Sequence, residues 1–286
     1  MESVSPESNR LNPLQRLAKN KLITSALVIV CAYMVIAVLA HWHLIASDWN
    51  ISVGEAYEAP SMRHWFGTDI FGRSVAAKII KSTETAMSVG LVVSLIAIVI
   101  GVVLGALGGY FGGKLDAFVV WICGILAAIP DIMLLIALTF ILGKGIFSVY
   151  IALGMTNWVD LCRLIRSEVM RHKDKDYVLT ATSIGATHAR KLCSHILPNV
   201  LHIVIIQLSA IFQAAIKSEV ILSYLGLGVK DSPSWGVMIN DAKVELLSGI
   251  WWQITFATLF MFLIVLAFNI LSDALRDLLD PKLRGK

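Results

Sequence analysis

The sequence predicts an all-α integral membrane protein with six transmembrane helices and one large polar loop between the fourth and the fifth. Three observations carry that prediction. Only 15% of the 286 residues are charged and 57% are hydrophobic, with a mean hydropathy of +0.76, whereas a soluble domain is about a quarter charged. Apolar runs long enough to form membrane helices recur along the chain. The apolar pattern gives way to a polar island at 163–199, which carries Arg163, Arg166, Arg171, Lys173, Lys175, Arg190 and Lys191. The net charge of +4 does not point to nucleic acid, and Cys31, Cys123, Cys162 and Cys193 show neither a disulfide framework nor a zinc spacing.

Residues 1–21 form a polar N-terminal segment with Arg10, Arg16, Lys19 and Lys21 close to the first apolar run. That run, 22–40, has the length a helix needs to cross a hydrocarbon core. It is too long for the apolar core of a secretory signal, and it ends in His41-Trp42-His43, an interfacial anchor rather than a cleavage site. The polar stretch 44–83 contains Gly67-Thr68-Asp69 and Gly72-Arg73; Thr68 or Asp69 can cap a short surface helix on which Asp69 and Arg73 pair one turn apart. The second span is 87–107, where Gly101, Gly105 and Gly109 leave one face without side chains for close helix packing. Residues 108–114 imitate a phosphate-binding loop. Leu115 stands where such a loop needs Ser or Thr, and a membrane helix precedes it, so the segment reads as a turn.

The third span, 115–142, is broken by Pro130-Asp131. A charge at this depth is costly, so Asp131 is either a pathway-lining group or a turn residue partnered by freed backbone amides. The fourth span is 146–161 and the fifth is 200–216, with Gln207 and Gln213 as interhelical glue or as a polar pathway surface. The stretch 217–249 is turn-rich, with Gly226, Gly228, Pro233 and Trp235, and the sixth span is 250–271. The tail, 272–286, is amphipathic and ends its helix at Pro281. With six spans, 16 of the 24 Lys and Arg fall on the side of the termini and the polar island. The positive-inside rule therefore places both termini in the cytoplasm and the 44–83 and 217–249 loops outside.

No nucleotide loop, metal cluster or catalytic triad is evident; His188, His195 and His202 recur every seven residues, but Pro198 is expected to interrupt a helix joining the last two. A conduit without fuel chemistry draws either on an ion gradient or on a soluble motor. Asp131 alone is thin support for ion coupling. The polar island suits a motor's handle, with a solvated loop as its plain alternative.

The run Asp176-Tyr177-Val178-Leu179-Thr180-Ala181-Thr182-Ser183-Ile184-Gly185, closed by His195-Ile196-Leu197-Pro198-Asn199, resembles the EAA loop of ABC importer permeases, although Leu179 and Thr180 replace its usual Glu and Ala. Gly67-Thr68-Asp69 with Gly72-Arg73, Gly108 to Gly113 with Asp116, Trp158 with Arg163 and Arg166, Leu222 to Gly228, and Pro233-Ser234-Trp235-Gly236 are similar to the C-type subunit of the dipeptide, oligopeptide and nickel permeases. Ser74, Glu84, Trp121 and Gly124 depart from that pattern. The resemblance implies a permease domain at 22–271 in the inner membrane and no enzyme activity. It also implies a second homologous permease subunit, two cytoplasmic ATPase subunits that bind ATP and magnesium, and an extracytoplasmic substrate-binding protein. It implies ATPase coupling through Asp176, Tyr177, Ala181, Thr182, Ser183, Ile184, Ala186 and His188, with Gly185 as bend, Arg190 and Lys191 as anchors and Pro198 as exit. Asp131, Gln207, Gln213, Glu219 and Trp235 are the candidate pathway or gate residues. The expected cargo is a di- or oligopeptide, with a nickel chelate or an ion-coupled mechanism as alternatives.

Overall fold

The computed structural model describes residues 20–230 and 232–279, which are mostly helical. The chain runs α1 (Lys21–His41), α2 (Val75–Phe111), α3 (Gly113–Ala128), α4 (Asp131–Leu142), α5 (Ile146–Gly154) and α6 (Val159–Lys173). It continues with α7 (Asp176–Ser183), α8 (His188–Arg190), a π-helical turn (Lys191–Ile196), α9 (Leu197–Tyr224), α10 (Trp235–Leu247) and α11 (Trp252–Leu279). Among the described residues four helical segments are long and apolar enough to cross a membrane, and α3 with α4 make a fifth if that bent pair is one span. The expected segments 1–19 and 280–286, Pro281 included, lie outside the described residues.

The central element is α2, whose 37 residues reach about 55 Å at 1.5 Å per residue. It starts at Val75, well before the expected 87, because its first turns are polar but buried. Ser74 Oγ caps it by accepting from Ala77 N, and the Ser82 and Thr83 hydroxyls donate to the carbonyls of Lys78 and Ile79. The glycine face packs as expected. A Cβ at Gly101 would lie 3.0 Å from the Trp158 carbonyl oxygen, one at Gly105 2.6 Å from that of Cys162, and one at Gly109 2.5 Å from that of Arg166. Glycines four apart on α2 thus meet residues four apart on α6, backbone against backbone.

Two expected spans are broken. The third span breaks at Pro130-Asp131 as expected: the axis turns by 94° between α3 and α4, and Asp131 opens α4. The run 146–161 is not one helix: α5 ends at Gly154 and α6 starts at Val159. Between them the side chains serve the freed carbonyls. Thr156 Oγ1 donates to Ala152 O, Asn157 Nδ2 to Leu153 O, and Trp158 Nε1 to Met155 O. In contrast, Pro198 does not interrupt its helix. The chain passes from His188 to Tyr224 as one 37-residue rod, and the wide π turn before Pro198 accommodates a residue that has no N–H to donate. The stretch 217–249 is also more ordered than a loop, since α9 runs to Tyr224 and α10 packs on α9 and α11.

Candidate coupling helix and cavity

The residues expected to couple fall on consecutive elements: Asp176 to Ser183 form α7, Ile184 to Ala186 close it, His188 and Arg190 lie in α8, Lys191 opens the π turn and Pro198 lies in α9. In α7, Val178 and Ala181 are buried, whereas Tyr177, Leu179 and Ile184 face outward, Leu179 at 53% and Ile184 at 81% exposure. Gly185 ends the helix with φ +83°; its N–H donates to Thr182 O and that of Ala186 donates to Ala181 O. This paired closure needs a left-handed residue, which glycine supplies without strain. A Cβ at Gly185 would meet nothing within 4 Å, so the space beyond the cap is open.

Three side-chain links tie this region together, two of them to α7 and one between α2 and α8. Lys191 Nζ donates to Thr182 Oγ1 over 3.2 Å, the Tyr110 hydroxyl lies 2.9 Å from His188 Nδ1, and the Tyr177 hydroxyl lies 2.7 Å from His172 Nδ1. Of the two expected flanking anchors, Lys191 is buried and Arg190 is exposed. Asp176 starts α7, Thr180 Oγ1 donates to its carbonyl, and the Ser183 hydroxyl donates to Leu179 O. Above this element Arg166 forms a two-pronged ion pair with Asp116, its Nη2 donating over 2.7 Å, and Arg163 Nη2 donates to Cys123 O over 3.2 Å. These arginines tie α6 to α3, and α6 leads directly into α7.

The two broken spans face each other across a cavity of about 480 Å³. Asp131 lines it from the α3–α4 break, Thr156, Asn157 and Asp160 from the α5–α6 break, and Gln207 and Ser218 from α9. Asp131 and Asp160 make no ion pair among the described residues. Breaking a helix at membrane depth is tolerated where the freed backbone is buried in protein or lines a water-filled space; Asp131, Thr156 and Asn157, at the two breaks, line this cavity.

A family profile described as "Binding-protein-dependent transport system inner membrane component" matches residues 97–285. The chain belongs to this family. The dipeptide transport system permease protein DppC of Bacillus subtilis is 38% identical over 271 residues, 94% of this chain and 85% of the relative. The oligopeptide permease protein OppC of the same organism is 33% identical over 286 residues, covering 99% and 93%. The glutathione transport system permease protein GsiD of Shigella flexneri is 35% identical over 273 residues, covering 95% and 90%. This inner-membrane permease is a transport component and not an enzyme.

Within the permease, the candidate pathway residues separate. Asp131 and Gln207 share the cavity; Gln213, Glu219 and Trp235 do not line it. Gln213 is buried, Glu219 accepts from Ser223 Oγ at 2.5 Å in a fully buried position, and Trp235 lies in the core edge-on to Tyr33. Asp160 and Ser218 were missing from the expected pathway set. A signal for the α9 wall was present: Gln207, Ala210, Ala214 and Ser218 fall on one helical face of small and polar residues.

At the opposite end of α2, Asp69 is no surface cap. Only 1% exposed, it receives Arg73 Nε at 2.8 Å and Lys78 Nζ at 3.0 Å, while the N–H groups of Phe71 and Arg73 donate to its Oδ1. Burial alone would raise its pKa, but the Lys78 ammonium and those N–H groups outweigh it and hold the carboxyl below its ordinary value. Lys78 also donates to Gln253 Oε1, and Trp252 Nε1 donates to Thr68 O. The Gly-Thr-Asp and Gly-Arg pairs therefore fold the 52–74 segment onto α2 and α11.

Proposed function

We propose that this chain is one half of the translocation pathway of an ATP-driven importer for di- or oligopeptides. The relatives named for dipeptide, oligopeptide and glutathione transport support that cargo class. The observation that carries the coupling assignment is α7, a short helix anchored by Val178 and Ala181 that turns Leu179 and Ile184 outward beside an open glycine cap. A short helix that presents Leu179 and Ile184 among exposed polar residues suits the groove of a soluble partner. The partners are a second homologous permease subunit, two cytoplasmic ATPase subunits that bind ATP and magnesium, and an extracytoplasmic substrate-binding protein.

The reading includes six crossings: four long helices, the bent α3–α4 pair, and the broken α5–α6 pair. Both termini then share the cytoplasmic face with α7, and the knot around Asp69 and the α10 region face the binding protein. Closure of the ATPases pushes α7; Lys191 and His188 pass the displacement to α2 and α9, and α6 slides or tilts along the glycine seam. The cavity lies between α6 and α9, so its access alternates with that motion. This is a two-state element biased by nucleotide at one end and by cargo at the other.

The test is co-purification. An affinity-tagged chain should bring down ATPase subunits in stoichiometric amount, and the Leu179→Asp/Ile184→Asp double variant should insert normally but lose them. Undiminished ATPase recovery with that variant would refute α7 as the contact.

A further inference from the structure

Beside the docking helix lies a second pocket, of about 260 Å³, bounded by Tyr110 from α2, Lys173 and Asp174 at the end of α6, Thr182 of α7, and His188 and Lys191. Lys191 is only 8% exposed, yet the hydroxyl of Thr182 is the one hydrogen-bond partner of its ammonium among the described residues, and no carboxylate pairs with it. A buried ammonium without a counter-charge is costly. The nearby end of α7 offers little relief, because the carbonyls of Ala181 and Thr182 already accept from Ala186 and Gly185. Lys173 makes no ion pair among the described residues either. The Tyr110 hydroxyl, the Thr182 hydroxyl and the ring of His188 complete a wall of polar groups, opposed by the single carboxylate of Asp174.

We infer that this pocket binds a phosphate-bearing anion that holds α7 against α2. The inference rests on the coupling role proposed for α7, since it assigns that site a regulator. Two sources supply the chemistry: the headgroup of an anionic phospholipid and free phosphate. The pocket sits at the end of α2 where Tyr110 and the half-exposed Phe111 stand, the kind of aromatic pair found at headgroup level, and basic pockets between membrane helices take such headgroups.

The experiment uses the purified transporter complex in nanodiscs of phosphatidylcholine with phosphatidylglycerol, and native mass spectrometry counts retained phosphatidylglycerol. Wild type and Lys191→Arg should retain one lipid that Lys191→Met loses, with occupancy falling about fivefold for each of Lys173 and Lys191 neutralised. In lipid-depleted detergent, inorganic phosphate should slow acylation of Lys191 if free phosphate is the occupant, and phosphatidylglycerol alone should do so if the lipid is. Lysine acylation that neither slows, together with lipid retention equal in wild type and Lys191→Met, would overturn the inference. So would a zero-length carbodiimide cross-link from Lys191 to an ATPase carboxylate, which would make the pocket part of the protein interface. Lipid retention is read without ATP, so undiminished ATPase recovery with Leu179→Asp/Ile184→Asp, with retention intact, would sink the coupling role and leave the anion site standing.

Discussion

Replacing Gly105 by alanine tests the seam between α2 and α6, through which the proposed coupling runs. The added Cβ would sit 2.6 Å from the Cys162 carbonyl oxygen, 3.1 Å from Arg166 N and 3.1 Å from Ile165 Cβ. Two of these neighbours are backbone atoms of α6 and cannot rotate away, so the helices must part by several tenths of an ångström. Overpacking of this kind costs about 1–3 kcal/mol. Alanine also gains about 1 kcal/mol over glycine in a helix interior, which masks part of the loss. Gly124→Ala removes that ambiguity: Gly124 lies within α3, where a Cβ would meet nothing within 4 Å. The difference between the two variants isolates the steric contribution, and Gly105→Ala should be the less stable by about 1–3 kcal/mol. The assay is thermal unfolding of the purified complex, paired with the ratio of cargo transported to ATP hydrolysed. Equal stability of the two variants would refute the backbone-to-backbone seam, and an unchanged transport ratio would refute its part in coupling.

Other predictions concern the two ends of the molecule. Asp69→Asn strands the buried Lys78 and should cost about 3–5 kcal/mol, seen as proteolytic opening of the 52–74 segment; resistance equal to wild type would refute the knot. Because the folded pKa of Asp69 is depressed, its stabilisation is present above the ordinary carboxylate range and is lost as pH falls through the lower folded value. Protease resistance of the same segment should fall in that window for wild type, and a pH-independent profile would contradict the sign. Asp131→Asn and Asp160→Asn should lower cargo uptake while leaving ATPase co-purification intact, and uptake unchanged in both would remove the cavity from the pathway.

Composition and apolar run length made the helical membrane fold legible, and glycines every four residues foretold the α2–α6 contact. What was hidden had physical causes. Lys78, Ser82 and Thr83 look like loop residues, but their polar groups are satisfied inside a helix by Asp69, Gln253 and backbone carbonyls. The break at Thr156-Asn157-Trp158 has no proline to announce it, because side chains capture the carbonyls instead. Pro198, which looks like a stop, is absorbed by a π turn. The letters of the 176–199 segment carry the resemblance, but only the fold shows that Val178 and Ala181 point in, that Ile184 points out, and that Lys191 is an internal brace.

The most direct test of the whole account is uptake by proteoliposomes holding the permease pair, the ATPases and the binding protein. Labelled dipeptide should accumulate only when ATP and magnesium are supplied on the α7 side, and Ile184→Asp should abolish accumulation without removing the chain from the membrane. Accumulation driven by an ion gradient without ATP, or undiminished in Ile184→Asp, would contradict it.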